Sequence, residues 1–161
     1  FNAFCSWLCI SIDIICNFAK ANSRKLKMIA TLLFVYLSAM KKDISTSEDI
    51  SKLIWHFYDK LIKDEMIAHH FINLDLPHHI PKVVAFWDQI LLDIPGYNAN
   101  VFEKHLHLDL DMAQTKQWVK LFTESVEELY KGEKADMAIQ RASSIGYIFG
   151  TKFDQIKKNK Q

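Results

Sequence analysis

Seven histidines give this chain its clearest capacity for metal chemistry, because a neutral imidazole nitrogen is a good ligand for transition metals. None of them stands in an HExxH or Glu-x-x-His pattern, the spacings that place zinc or di-iron ligands on one helix face. A lone histidine in an apolar helix is more often a core or surface residue than a ligand. The seven are His56, His69, His70, His78, His79, His105 and His107.

His105 differs from the other histidines in its surroundings. It lies in the short segment Phe102-Glu-Lys-His-Leu, after the breaker Pro95-Gly96 and before a long helical pattern. Residues 100–107 have room for two turns of helix at most, and apolar residues flank the imidazole. Such a short element can present one imidazole to a metal while its neighbours cover an apolar ligand. His107 would point to another side of the turn, so we assign it to the surface.

Two aromatic residues with polar tips and one more histidine could contact a ligand within an apolar pocket. Tyr58 lies on the apolar face of a long amphipathic pattern, where a phenol needs a hydrogen-bond partner. His79 is favoured over His78 as the inward residue because it shares the periodicity of the apolar residues that follow it. Trp118 supplies an indole N–H, which only donates. Ordinary core packing explains Tyr58 and Trp118 equally well, so the residues alone leave both interpretations open.

Apolar residues at i, i+3, i+4 and i+7 predict the helices that must position these side chains. The helices are expected over about 46–65, from about 77 to the breaker near 95, over 112–130 and over 134–157. Ser45 and Glu48 have the spacing of a capping box at the first helix start, and Gly132 should end the third helix. With only 4 Gly and 3 Pro, and no run that alternates as a strand, the chain is predicted to be all-α.

The N-terminal residues differ in charge from the rest of the chain. Residues 1–42 carry six Lys or Arg against one Asp, whereas residues 43–161 carry 14 basic against 18 acidic residues. A mildly acidic main body argues against a nucleic-acid partner. We therefore expect an apolar and basic extension over 1–42 and one domain over 43–161.

Two apolar stretches in this extension, 1–12 and 28–39, are each too short to span a bilayer as a helix. One interpretation is translation assigned too far upstream, with Met28 or Met40 as the natural start. The others are a signal-like or anchoring segment at 28–39 and a genuine soluble extension. We expect a cytoplasmic protein without a membrane partner, unless residues 1–39 form a real targeting segment.

All three cysteines lie in the first 16 residues. Their odd number and their spacing match neither a zinc knuckle nor a CxxCH haem-attachment motif. The predicted domain over 43–161 contains no cysteine, so it needs no disulfide. The three are Cys5, Cys9 and Cys16.

Several short motifs occur together in an order that resembles the group III truncated haemoglobins. The resemblance covers roughly residues 43–155 and leaves out the N-terminal extension. The motifs are Phe57-Tyr58-Asp-Lys, His79-Ile-Pro-Lys-Val-Val-Ala-Phe86-Trp87, Leu91-Leu92, Gly96-Tyr97-Asn98-Ala-Asn100, Lys104-His105-Leu106 and Gln117-Trp118-Val-Lys-Leu-Phe122.

This resemblance implies a two-over-two helical sandwich around a noncovalently bound haem b. It implies His105 as the proximal ligand of a pentacoordinate iron, with Tyr58, His79 and Trp118 as the distal polar residues. The remaining side chains that would contact the haem are Phe57, Phe71, Phe86 and Trp87.

The implied function is reversible binding of dioxygen, or of NO or CO, by a monomer or weak oligomer. Several distal donors imply slow ligand release, which leaves NO dioxygenase-like or peroxidase-like chemistry open, together with an unidentified reductase. The competing hypothesis is a non-haem helical module that binds a protein partner through an apolar face. Amphipathic helices alone do not distinguish the two.

Overall fold

The computed structural model describes residues 41–159, together with residues 25, 27–29 and 32. The chain divides into two units, Phe1–Met40 and Lys41–Gln161. The five described residues of the first unit are helical and exposed. The three cysteines and most of the two apolar stretches lie outside the described residues. The interpretation of residues 1–42 as an extension therefore stays a prediction.

Five α-helices and two short 3-10 turns make up the described part of the second unit, which contains no strand, and the predicted all-α class is confirmed. None of the helices described is long and apolar enough to cross a bilayer. The 3-10 turns are Ala68–Phe71 and Leu106–Leu108. The helices are α1 (Ser47–Leu61), α2 (Leu76–Leu92), α3 (Val101–His105), α4 (Met112–Leu129) and α5 (Glu133–Asn159).

The start of α1 is set by Thr46 and Asp49, and the predicted capping pair Ser45 and Glu48 is wrong by one residue. The Asp49 amide donates to the Thr46 hydroxyl, and the Asp49 carboxylate accepts from the Thr46 amide, each at 3.2 Å. Burial explains the shift, because Asp49 is only 5% exposed and Glu48 is exposed. The hydroxyl of Tyr130 also donates to the Asp49 carbonyl at 3.0 Å, which fixes this residue against the end of α4.

The end of α1 comes four residues before the predicted position. The Asp64 carboxylate accepts from the amides of Met66 and Ile67 at 3.0 and 3.3 Å, which turns the chain away from the helix. Ile62, expected on the apolar face, is 41% exposed for the same reason. The other expected members of that face are buried, namely Ile50, Leu53, Ile54, Phe57, Tyr58 and Leu61.

The core lies between a layer made of α1 and α2 and a layer made of α4 and α5. Phe122 of α4 stands at its centre. The Trp87 ring of α2 stacks on it with centroids 4.7 Å apart, and the Phe57 ring of α1 meets it edge-on at 5.3 Å. All three side chains are at most 2% exposed. Burial of each such aromatic side chain contributes roughly 2–3 kcal/mol, so these contacts hold the layers together.

Two glycines allow α5 to approach α4 closely. A Cβ atom at Gly150 would lie 2.6 Å from the Thr115 hydroxyl oxygen, and one at Gly146 would collide with a methyl group of Val119. Only a residue without a side chain fits at such short distances. The close approach of the two helices fixes the position of the aromatic residues that α5 carries near its C-terminal end.

The turn between α4 and α5 depends on Gly132 and Asp43. The Asp43 carboxylate accepts from the amides of Lys134 and Ala135, both at 2.9 Å, and so caps the first turn of α5. Gly132 has a φ of +147°, and a Cβ atom there would lie 2.5 Å from the Asp43 carboxyl carbon. The predicted break at Gly132 is therefore explained by a backbone conformation and a close approach that both require glycine.

Candidate functional site

His105 is the last residue of α3, the five-residue helix that follows the breaker. Its Nδ1 lies 2.6 Å from the carbonyl oxygen of Val101, one turn earlier. Because a carbonyl oxygen only accepts, Nδ1 must carry the proton and Nε2 must carry the lone pair. No residue within 41–159 forms a hydrogen bond with that Nε2. The imidazole is thus held in the tautomer that a metal ligand requires.

The short helix α3 packs its aromatic residues against the last helix. The Phe102 ring lies 5.1 Å from that of Phe149 and 5.3 Å from that of Phe153, both on α5. The His105 ring lies 5.7 Å from the Phe149 ring, and the Lys152 ammonium stands 4.5 Å above the Phe102 ring. These contacts orient His105.

Two polar side chains meet on the other helices of the candidate site. The hydroxyl of Tyr58, on α1, lies 2.7 Å from Nε2 of His79, on α2. Tyr58 is 5% exposed, and burial raises the pKa of its phenol, so the hydroxyl stays protonated at neutral pH. His78 points away, is mostly exposed and pairs with Asp75. The expectation that His79 is the inward member of the pair agrees with this geometry.

The charge state of His79 follows from its surroundings. Burial lowers the pKa of His79, and nearby His105 and Lys82 lower it further. A neutral imidazole carries one proton, so two arrangements of the contact with Tyr58 exist. In one, the phenol donates to Nε2. In the other, the Nε2–H donates to the phenol oxygen, which leaves the phenol O–H free for a third partner. The influence of His105 also shows that the two imidazoles lie within electrostatic range of each other.

Aromatic rings surround the Tyr58 hydroxyl contact. The Tyr58 ring meets the Phe57 ring at 5.3 Å and the Phe71 ring at 6.2 Å, both edge-on. Trp118 of α4 lies 5.7 Å from Phe57 and stacks on Phe122. Its half-buried indole N–H has no hydrogen-bond acceptor among the described residues, so it is free to donate. Phe57 thus connects Tyr58 and Trp118.

The remaining two predicted contact residues are Trp87, in the protein core, and Phe86, at the edge of the core. Trp87 stacks on Phe122 and is 2% exposed. Phe86 is half-buried, with its ring edge against Trp87 and against Tyr97 at 5.2 Å. Their assignment as ligand contacts stays a prediction. The period of a helix places Phe86 and Trp87 inward but does not say whether they face core or ligand.

Sequence patterns did not reveal the connection between α4 and the segment joining α1 to α2. The side-chain amide of Gln117 donates to the Asp64 carboxylate at 2.6 Å. The side-chain nitrogen of Gln114 lies 3.0 Å from Nε2 of His70. The partners are 53 and 44 residues apart, so no local periodicity relates them. The only sequence signal was the capping-box spacing of Asp111 and Gln114, which predicts a helix start but no tertiary contact.

Two cavities in the described part of the chain include none of Tyr58, His79 or His105. One, of about 460 Å³, is lined by the α1–α2 segment and includes Phe71. The other, of about 170 Å³, lies between α4 and α5. No group of three or more His, Cys, Asp or Glu in the described part of the chain is placed to hold a metal ion. The candidate site is therefore defined by its side-chain contacts.

Comparison with known proteins identifies relatives of this chain. No family model matches the chain. The chain is 32% identical over 117 residues to the group 3 truncated hemoglobin ctb of Campylobacter jejuni, and the match covers 68% of this chain and 92% of that protein. The crystal structure of the group III truncated hemoglobin from Campylobacter jejuni matches with a TM-score of 0.65 at 32% identity, over 71% of this chain and 95% of that chain. The motif order predicted this relationship. The chain is a member of the group III truncated haemoglobins.

Proposed function

We propose that this globin binds haem noncovalently through Nε2 of His105 and uses the bound group to hold dioxygen or another diatomic ligand reversibly. The observation that carries the proposal is the 2.6 Å hydrogen bond from His105 Nδ1 to the Val101 carbonyl. It leaves one imidazole lone pair without a partner among residues 41–159. This nitrogen is not among the buried unpaired atoms of the described residues, so a ligand can reach it.

The donor set of the candidate site fits a haem. One histidine with a saturated second nitrogen is the usual proximal arrangement, and haem iron so held supplies an open coordination position for a diatomic ligand. The only cysteines of the chain lie in its first 16 residues, and none forms a CxxCH motif, which supports noncovalent haem b. The aromatic residues Phe57, Phe71 and Phe86 offer apolar surface for the macrocycle.

Tyr58, His79 and Trp118 would act on the ligand. Dioxygen in such a site acquires partial negative charge, which O–H and N–H donors stabilise strongly where water is excluded. The Tyr58 hydroxyl is free to donate to it when His79 donates its Nε2–H to the phenol oxygen, an arrangement that the 2.7 Å contact permits. Trp118 offers a further indole N–H. Several converging donors favour slow release, which suits ligand capture or redox use better than oxygen transport.

Titration of the purified full-length chain with hemin tests the proposal. We expect a Soret band that saturates at one haem per chain, and a reversible change in the ferrous spectrum when dioxygen is added and removed. A helical, fully folded chain that takes up no hemin would contradict the proposal and support the competing hypothesis of a protein-interaction module. A chain that binds hemin but not dioxygen would contradict the oxygen-binding part alone.

A further inference from the structure

The segment between α1 and α2, residues 62–75, is joined to α4 by two side-chain hydrogen bonds. Near its start, the Asp64 carboxylate accepts a hydrogen bond from the Gln117 amide at 2.6 Å. Near its middle, His70 Nε2 lies 3.0 Å from the Gln114 amide nitrogen. The residue after His70 is Phe71, whose ring contacts that of Tyr58. The hydrogen bond of His70 is therefore next in sequence to Phe71, which packs on Tyr58, the proposed hydrogen-bond donor to the ligand.

The orientation of the Gln114 side chain is determined by the start of α4. Its Oε1 accepts from the backbone N–H of Asp111 at 3.1 Å, and the Asp111 carboxylate accepts from the backbone N–H of Gln114 at 2.8 Å. This capping box leaves the amide NH₂ of Gln114 directed at His70. Because that NH₂ only donates, Nε2 of His70 must accept, and the contact requires a neutral imidazole protonated at Nδ1.

The charged and titratable groups around His70 agree with this protonation state. The His69 ring lies 3.9 Å away on the same turn, and Asp109 and Asp111 approach from the chain before α4. Burial and His69 lower the pKa of His70, while the carboxylates of Asp109 and Asp111 act in the opposite direction. Gln114 could favour the charged form only by presenting its oxygen, which is already engaged by Asp111. The neutral imidazole is thus the form that fits.

The position of the Phe71 ring depends on the His70–Gln114 hydrogen bond because the ring is not enclosed on all sides. One side of its ring meets Tyr58, and another lines the 460 Å³ cavity, together with Ala68 and Leu74. An apolar side chain beside a cavity lacks packing contacts on that side. Its position is therefore set by the hydrogen bonds of the segment that carries it.

We propose that His70 and Gln114 are positioning residues. Their hydrogen bond, which is lost when His70 is protonated, holds Phe71 against Tyr58 and slows ligand exchange. A proton taken from solvent by His70 Nε2 places two donors opposite each other, so the contact opens and the segment loosens. Turning the Gln114 amide over would not restore it, because the NH₂ would then oppose the Asp111 N–H. The effect on ligands rests on the proposed function, while the His70–Gln114 hydrogen bond itself does not require haem.

The sign of the pH dependence follows from linkage. His70 is neutral in the closed segment and regains an ordinary pKa near 6.5 when the segment opens. The closed form is therefore fully favoured above about pH 6.5 and loses its advantage as the pH falls below that value. Ligand dissociation should accelerate over the same range.

Dioxygen dissociation from the haem-loaded chain, measured by stopped flow from pH 8 to 5.5, tests the inference. We expect a rise of about 2- to 10-fold towards acid, the effect of losing one side-chain hydrogen bond. His70→Ala and Gln114→Met should dissociate rapidly at every pH. Gln114→Glu retains a capping-box residue and can pair with a protonated imidazole, so its rate should stay slow in acid. His78→Gln, an exposed neighbour, should behave as the unsubstituted chain.

A rate that does not change with pH in the unsubstituted chain, or a pH dependence that survives in His70→Ala, would overturn the inference. NMR titration of the haem-free chain gives a separate readout. The His70 imidazole should titrate below its ordinary pKa, and the amides of residues 62–75 should lose protection, relative to their intrinsic exchange rates at each pH, as it protonates. A chain that fails to bind hemin refutes the proposed function, whereas normal hemin binding with pH-independent protection of residues 62–75 refutes only this inference.

Discussion

The hydroxyl of Tyr58 and Nε2 of His79 lie 2.7 Å apart, and this hydrogen bond joins α1 to α2. The rings of Phe57 and Phe71 pack on the Tyr58 ring beside it. The phenol is buried and stays protonated, and the imidazole is neutral. The direction of this hydrogen bond depends on which ring nitrogen of His79 carries the proton. The phenol O–H is therefore available to a third group when His79 carries its proton on Nε2.

Tyr58→Phe should accelerate dioxygen dissociation about 5- to 150-fold, because one donor hydrogen bond contributes roughly 1–3 kcal/mol in such a site. The ring and its contacts with Phe57 and Phe71 are retained, so the effect reports the hydroxyl. Stopped-flow displacement by carbon monoxide measures the rate. Tyr147→Phe is the matched control, since Tyr147 is 69% exposed on α5. An unchanged rate in Tyr58→Phe would remove Tyr58 from its proposed role.

His105→Gly should abolish haem retention during gel filtration, because the imidazole is the only proposed bond to the metal. Added free imidazole should restore part of the Soret absorbance by occupying the vacated space. His107→Gly lies two residues away, at an exposed position, and should retain haem normally. Full haem retention by His105→Gly without added imidazole would refute the ligand assignment.

Asp49→Asn should weaken folding at neutral pH. Burial alone would raise the pKa of the Asp49 carboxyl, but the ion pair with Lys42 at 2.6 Å and the hydrogen bonds from Ser45 bring it down to about 2. An unfolded aspartate titrates near 3.9. The charged form therefore stabilises the fold above about pH 4, by about 2 kcal/mol, and this stabilisation is lost as the pH falls towards 2.

Urea unfolding at several pH values checks this prediction. The difference in unfolding free energy between Asp49→Asn and the unsubstituted chain should be largest at pH 7 and should shrink below pH 4. Glu127→Gln, at an exposed position, is the control and should follow the unsubstituted curve. A constant difference at all pH values would show that the loss comes from packing rather than from charge.

Gly132→Ala should destabilise the fold more than Gly96→Ala. Both glycines have strongly positive φ angles, +147° and +153°, so alanine is strained at either position by about 1–3 kcal/mol. Only Gly132 also faces Asp43, whereas nothing lies within 4 Å of a Cβ atom at Gly96. The collision should add about 1–3 kcal/mol, as overpacking does elsewhere. Equal losses in denaturant unfolding would argue against the role of Asp43 as a tightly packed cap.

The sequence predicted the helices and their buried faces well, because period-3.6 patterns record burial directly. It misplaced local boundaries where one side chain decides the outcome, as Asp64 does at the end of α1. His105 was singled out because an unusual setting and a family pattern agreed on one residue, and its role as a ligand stays a prediction. The contact of His70 with Gln114 could not be predicted, since nothing local links residues 44 positions apart.

The imidazole of His105 contacts Phe149 on α5, and the Phe102 ring of α3 packs on Phe149 and Phe153. Helix α5 in turn approaches α4 closely at Gly146 and Gly150. Asn100, at the end of the connection 93–100, caps α3 by accepting from the Glu103 backbone N–H at 3.4 Å. A shift of α5 by one helical turn, about 5.4 Å, would carry Phe149 away from His105. The register of the last helix against its neighbour thus determines which side chains support His105.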